Sequence, residues 1–415
     1  MKTWVTYLAA LLMSFATCLL FGDYTLATDI FSAVSGYLIN FSVYLFIPIL
    51  LITFSSGIAS LKKDEAGGRV VSSVIGWSVS TTVILSAAAG IIYHYFPVSF
   101  PVTASVGSSL DSLQTAALSK ASEALGYLYP ANPFRIITEI SSFLPPAIIL
   151  AWVLGLSLKP SADVIRPAYT VINSFSEVMY RISRTITTFG WFLSYTSATW
   201  FFLSLYQEKT VLVAPKFLLT ILGAVAGAVF IIIPVLYACF TGFRKNPYKV
   251  LFRSSANLSL ALTTGNIITA SIVGESVSRQ NLGAQKRITS TAIPCFAVIS
   301  RGGTAFISTI VTMMLIQGAA GIMPSIPLSI GIACAIMLTS LTSSLFVGYE
   351  TLFTIYFAMK ICGIKLAGAE AAIVALLPLI NGLAIFLDSY LSNLGSVVAS
   401  VYVGTDVEIP YNDTI

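Results

Sequence analysis

Charge is what this sequence has least of. Only 9% of its 415 residues are Asp, Glu, Lys or Arg, against about 25% in a soluble globular chain. With 56% hydrophobic residues, too few charged side chains remain to cover a water-facing surface, so the apolar ones must face lipid. Histidine occurs once, at His94, and five cysteines (Cys18, Cys239, Cys295, Cys334, Cys362) are scattered without a C-x-x-C pair. That spacing argues against a metal cluster or a disulfide framework and predicts buried small hydrophobes. No D-D-x-x-D, H-E-x-x-H or paired-carboxylate cluster occurs, which makes an intramembrane lipid-modifying enzyme the weakest of the readings. The net charge of +5 is spread over short basic clusters, so nucleic acid is not an expected partner.

Apolar stretches at 3–22, 34–61, 70–96, 143–158, 188–206 and 211–241 are long enough, or nearly so, to cross a ~30 Å hydrocarbon core as helices. The first lacks the small-residue cleavage site of a signal peptide and is expected to remain as a span. From Arg244 onward the pattern changes. Apolar runs are broken by Thr263-Thr264-Gly265-Asn266, by Arg301-Gly302-Gly303-Thr304, by Thr342-Ser343-Ser344 and by Asp388. Backbone freed at such breaks must be satisfied by protein or by a wet cavity, and broken spans of this kind build solute sites near the bilayer midplane. The second half is therefore expected to be the working half, binding a small polar solute.

Short basic connections (Lys62, Lys63 and Arg69; Lys159 and Arg166; Arg181 and Arg184; Arg244 to Arg253; Arg279, Lys286 and Arg287) count as cytoplasmic under the positive-inside rule. They place the N-terminus inside and the segment 97–131 outside.

Two opposite charges stand out within the apolar runs. An unpaired Arg301 there costs at least ~3 kcal/mol, so it needs a partner or a wet cavity, and Gly302 and Gly303 beside it permit the helix to unwind. Asp388 is its natural partner, and a zwitterionic amino acid fits between them in principle. A bare ion pair that binds nothing is the competing account. Glu350, near a hairpin arm, is expected to be solvated or structural in preference to a proton carrier. The Ser and Thr clusters either line the site or only let helices pack closely.

Several pieces in order then become familiar: Phe54-Ser-Ser-Gly-Ile-Ala-Ser-Leu61, Asn132-Pro-Phe, Ala151-Trp-Val-Leu-Gly-Leu156, Asn281-Leu-Gly-Ala-Gln-Lys-Arg-Ile288, Ile293-Pro294 and Gly303-Thr-Ala305. Together they make the chain resemble the dicarboxylate/amino acid:cation symporter family, the elevator-type carriers that include archaeal aspartate and animal glutamate transporters. The resemblance implies an all-α integral membrane protein of eight transmembrane helices plus two re-entrant helical hairpins, arranged as inverted repeats. It implies scaffold segments at 1–70 and 132–206, transport segments at 71–96, 207–243 and 244–404, and a tail at 405–415. Within the transport core, hairpin 1 falls near 249–284, hairpin 2 near 322–362 and the eighth span near 366–404. It further implies a homotrimer in the cytoplasmic (inner) membrane and secondary transport of an amino acid or carboxylate. A transporter-like channel or a solute-binding receptor is the alternative.

Carried over position by position, the resemblance assigns solute contacts to Asn266, Arg301, Thr304, Ser343, Ser344, Asp388 and Ser392. It assigns remnants of sodium sites to Thr81, Thr82, Ser300, Gly302, Gly395 and Ala399. The family's N-M-D-G-T reads Ser300-Arg301-Gly302-Gly303-Thr304 here, its side-chain-reading arginine falls on Leu391, and its sodium-holding aspartate in the eighth span falls on Ala399. A sodium ion in a low-dielectric site needs carboxylates to offset its charge. Sodium coupling is therefore expected to be weakened, with Arg301 either replacing a bound cation or meeting an anionic group of the solute. No cofactor or resident metal is expected, and coupling to Na⁺, to H⁺ or to neither stays open.

Overall fold

The computed structural model describes residues 2–63, 66–100, 144–207, 215–321, 323–343, 347–363, 369–405 and 407–414. Among these residues regular structure is helical throughout, with no strand. The first half supplies α1 (Thr3–Phe21), α2 (Thr25–Lys63), α3 (Gly67–Tyr95), α4 (Leu144–Ser157) and α5 (Arg166–Gln207). Next comes α6, built from Pro215–Gly227, a π-helical turn Ala228–Ile232 and Ile233–Thr241. The second half is shorter in its pieces: α7 (Pro247–Arg253), α8 (Ser255–Thr264), α9 (Ile267–Gln280), α10 (Lys286–Ile299), α11 (Gly302–Ala320), α12 (Ile326–Thr342), α13 (Glu350–Ile361) and α14 (Ala369–Val403).

Among the described residues, six helical stretches are long and apolar enough to cross a membrane: Thr3–Phe21, Thr25–Lys63, Gly67–Tyr95, Pro215–Thr241, Lys286–Gly318 and Leu376–Val403. The apolar stretches expected at 143–158 and 188–206 become the short α4 and the second half of α5, where Ser, Thr and Tyr dilute the hydrophobicity. Burial divides the six sharply. The stretches Lys286–Gly318 and Leu376–Val403 are each 94% enclosed by protein, against 22% for Thr3–Phe21 and 39% for Gly67–Tyr95. A helix apolar all round and buried all round belongs to a core, whereas α1 turns Leu8, Leu12, Phe15, Leu19 and Leu20 outward. These two stretches thus lie innermost, wrapped by helices that present apolar faces to the surroundings. The first is broken at Ser300-Arg301, whereas Asp388, expected to interrupt its run, sits inside the continuous helix α14, where buried partners satisfy its carboxylate.

Small residues and hydroxyls set the close approaches. Ser55 Oγ donates to the Ala151 carbonyl at 2.9 Å, and Gly155 lies against Ser55 and Ile58, which draws α4 onto α2. Tyr7 Oη reaches across from α1 to the Thr187 carbonyl of α5 at 3.0 Å. In α6 the π turn has an identifiable cause. Pro234 lacks the N–H that the Phe230 carbonyl would accept in an α-helix, the Ile233 N–H bonds back to Ala228, and Tyr248 Oη donates to Phe230 O at 2.9 Å.

The cysteines depart from expectation. All five are free, but only Cys18 is buried, while Cys239 and Cys334 are exposed. On a lipid-facing surface an apolar side chain is not driven inward, so the soluble-protein rule that buries cysteine does not operate.

The segment 407–414 lies across α7 and reaches α1. Arg253 donates from Nη2 to the Ile409 carbonyl at 2.8 Å and from Nη1 to the Asn281 carbonyl at 3.1 Å. Lys249 pairs with Glu408 at 3.1 Å, and this hydrogen bond holds the Glu408 carboxyl below its ordinary range. Lys2 Nζ stands 3.5 Å from the Tyr411 ring centroid and donates to the Tyr411 carbonyl. An Arg253→Ala variant is expected to weaken this attachment by about 2 kcal/mol, roughly a 30-fold rise in local opening. Hydrogen exchange of amides 407–414 measures it, and unchanged protection would show that the arginine does not hold the segment.

Candidate solute site at the broken span

Helix α10 ends at Ile299, two residues follow in non-helical conformation (Ser300 at φ −86, ψ 87 and Arg301 at φ −116, ψ 26), and α11 begins at Gly302. The break therefore sits at Ser300-Arg301, one step earlier than expected. Gly302 and Gly303 do not unwind; they form the first turn of α11. Their lack of a side chain serves packing, because a Cβ at 303 would collide with Leu387 and the Ala384 carbonyl of α14, and one at 302 would lie 2.8 Å from Leu391 Cδ1.

Each helix end at the break meets an opposite charge. Arg301, 1% exposed, donates from Nη2 to the Ala297 carbonyl at 2.8 Å in the last turn of α10. Asp388 of α14, fully buried, accepts from Gly303 N at 2.7 Å, Thr304 N at 3.3 Å and Thr304 Oγ1 at 2.6 Å. A cation at a helix C-terminus and an anion at a helix N-terminus are the favourable placements with respect to the helix dipole. Arg301 Nη1 stands 3.9 Å from Asp388 Oδ2, an ion pair without a hydrogen bond. Arg301 and Asp388, expected as partners, thus face each other as an ion pair, and Thr304 bonds to the same carboxylate.

The turn between α8 and α9 and the turn before α13 converge on one residue, Asn381. Its Nδ2 donates to the Gly265 carbonyl at 2.9 Å and to Glu350 Oε2 at 3.1 Å, while its Oδ1 accepts from Thr351 N and Thr351 Oγ1, both at 3.2 Å. Asn266 caps α9, its Oδ1 accepting from Ile268 N at 3.0 Å and Thr269 N at 3.1 Å. Ser343 Oγ turns back to its own chain at Ser340 O, 2.6 Å away, and Ser392 is buried on α14 one turn beyond Asp388. Ser344 lies outside the described residues, as does most of the segment 97–131. Of the two expectations for Glu350, solvated or structural, burial removes the first: it is fully buried, and Gly348 N donates to its Oε2 at 2.8 Å.

The model of the sodium:dicarboxylate symporter family matches residues 4–404 of this chain. The chain belongs to that family. Relatives include the serine/threonine transporters SstT of Streptococcus agalactiae serotypes III, Ia and V, each 22% identical over 270 residues. That match covers 64% of this chain, and the chain spans 64% of the length of these curated relatives. The family and the matched relatives are transporters, not enzymes. Family membership and six spanning-length apolar helices make this chain a multi-pass membrane protein.

A family named for sodium poses a test that the residues here answer. A Cβ at Gly395 would collide with the Phe296 ring and lie 2.7 Å from Trp77 Cδ1, while Gly302 abuts Leu391 and Leu85. Trp77 Nε1 donates to the Leu391 carbonyl at 2.9 Å, so a carbonyl near these positions is already in use. Thr81 and Thr82 donate to Trp77 O and Ser78 O, each at 2.8 Å; Ser300 Oγ has no partner among the described residues, and Ala399 is fully buried. Aromatic and aliphatic carbon stands where carboxylates are needed, and these residues do not fit a sodium ion.

Sequence reading missed Asn381. An asparagine in an apolar helix, seven residues before Asp388, falls on the same helix face, and that periodicity was the available signal. Asp388→Asn is expected to destabilise the protein by about 3 kcal/mol, because it leaves a buried guanidinium without its counter-charge. Adding Arg301→Met should return at least about 1 kcal/mol of that loss. Thermal unfolding of both single variants and the double variant measures this, and a double-variant loss equal to the sum of the two single losses would show that the two charges are not coupled.

Proposed function

We propose that this protein is a secondary active carrier of a small zwitterionic amino acid, working by an elevator form of alternating access. The single observation carrying this reading is the fully buried Arg301 at a broken span, paired with Asp388 and keeping Nε and Nη1 without hydrogen-bond partners among the described residues. A buried guanidinium with unused donors suits a solute carboxylate, whereas a purely structural ion pair uses its donors internally. The relatives' name, serine/threonine transporter, agrees with a neutral solute, and Leu391 offers no second cation for a dicarboxylate.

In this reading the helix pairs α8–α9 and α12–α13 are re-entrant hairpins, which with eight spans complete the architecture. Helices α1, α2, α4 and α5 form a scaffold that trimerises, and α3 with α6–α14 forms the moving body. The protein sits in the cytoplasmic membrane with its N-terminus inside. Arg301 stands in for charge that sodium supplies elsewhere in the family, so net transport does not require a sodium gradient.

Counterflow of labelled serine and threonine in proteoliposomes tests this. Saturable exchange that is equal in sodium and choline media is expected. Uptake rising steeply with external Na⁺, or undiminished exchange in Arg301→Met, would count against the tethered-cation account. Solute binding without saturable exchange would instead indicate a receptor or channel.

A further inference from the structure

We infer that Glu350, with Asn381 as its positioning residue, receives the cationic amino group of the solute, so that the pocket reads a zwitterion with Arg301 at one end and Glu350 at the other. The inference rests on the transport reading above and assigns a role that neither the family match nor the relatives' name supplies.

The argument begins with Asp388, the carboxylate that the resemblance places against the solute's ammonium. Both of its oxygens are in use. Oδ1 closes the N-terminus of α11 through Gly303 N and Thr304 N, and Oδ2 accepts from Thr304 Oγ1 at 2.6 Å while facing Arg301. An ammonium arriving there must displace hydrogen bonds that hold the break together. Glu350 is in the opposite condition. It is as deeply buried, yet only Oε2 is engaged, by Gly348 N and Asn381 Nδ2, and Oε1 has no partner among the described residues. The same inventory leaves Arg301 Nε and Nη1 without partners. One buried acceptor and two buried donor atoms, on groups of opposite charge, are therefore unused.

Leaving such groups unpaired costs on the order of 1–3 kcal/mol each, and more for charged ones. A structure retains them together when something else completes them. Their placement suits one molecule. Glu350 is hydrogen-bonded to Asn381, and Arg301 is ion-paired to Asp388; both anchors sit on one face of α14, seven residues or about 10 Å apart along the axis. An α-amino acid offers three N–H donors to Oε1 and carboxylate acceptors to the guanidinium, which matches the unused atoms in type and sign. Asn381 fixes Glu350 from below. With all its own polar atoms committed to Gly265, Glu350 and Thr351, it is not itself available to solute.

The test compares L-serine with L-glycerate, which carries a hydroxyl in place of the amino group, by titration calorimetry on the purified full-length protein. Wild type is expected to prefer serine. Glu350→Gln is expected to lose roughly 10- to 100-fold in serine affinity and to leave glycerate affinity level or improved, collapsing the preference. An unchanged serine-to-glycerate ratio in Glu350→Gln, or an equal loss for both ligands, overturns the inference. If Glu350→Gln does not fold, Glu350→Asp and Asn381→Ser, which displace the carboxylate without removing it, are expected to narrow the same ratio, and an unchanged ratio in both overturns the inference. Wild-type protein that binds neither ligand overturns the transport reading itself, a result distinct from a preference that ignores position 350.

Discussion

Two helix ends meet in the buried interior of this protein, and the way their charges are met organises everything around them. At the end of α10 the Ala297 carbonyl accepts from the Arg301 guanidinium; at the start of α11 the N–H groups of Gly303 and Thr304 donate to the Asp388 carboxylate. Each side chain answers a helix dipole and also the other's charge. Because Asp388 comes from α14, closing the break pins that helix to α11, and Gly303 lets the two backbones approach closely enough for the contact to form. Buried ion pairs add little stability on balance, but losing one member is costly. The arrangement accordingly resists change at either position more than it strengthens the fold.

Where the rest of the family is named for sodium, this chain fills the corresponding space with carbon. Trp77 and Phe296 occupy the room beside Gly395, and Leu391 and Leu85 that beside Gly302. Tight packing of this sort is as specific as ion coordination, but it is permanent: a ring cannot leave on one side of the membrane and return on the other. On the proposed reading, the fixed cation at Arg301 takes over at these positions the part that a binding and departing ion plays elsewhere.

Much of this was legible in the residues. The scarcity of charge gave the membrane, and the polar interruptions at 263–266 and 301–304 marked two breaks, the second of which the structure places one step earlier, at Ser300-Arg301. The pairing of Arg301 with Asp388 followed from two opposite charges that each needed a partner. Three things were not legible. Whether Gly302 and Gly303 unwind or pack depends on what stands opposite them, and Leu387 is 84 positions away from Gly303 in the chain. The burial of Glu350 depends on α14 lying against the turn before α13, a contact that no local pattern encodes. Asn381 binds two turns at once, and a single asparagine in an apolar helix carries too little local signal to reveal partners at both 265 and 350.

The strip of chain from 407 to 414 is fastened to two other parts of the chain, the start of α1 and the end of α7. Lys2 grips it at Tyr411, while Arg253 grips it at Ile409 from the foot of α7. Hydrogen bonds fail within about an ångström of stretch, so α1 and α7 cannot shift by even one helical turn relative to each other, about 5.4 Å, with both fastenings intact. A clasp of eight residues therefore limits how far α1 and α7 travel apart, and any larger excursion must begin by opening it.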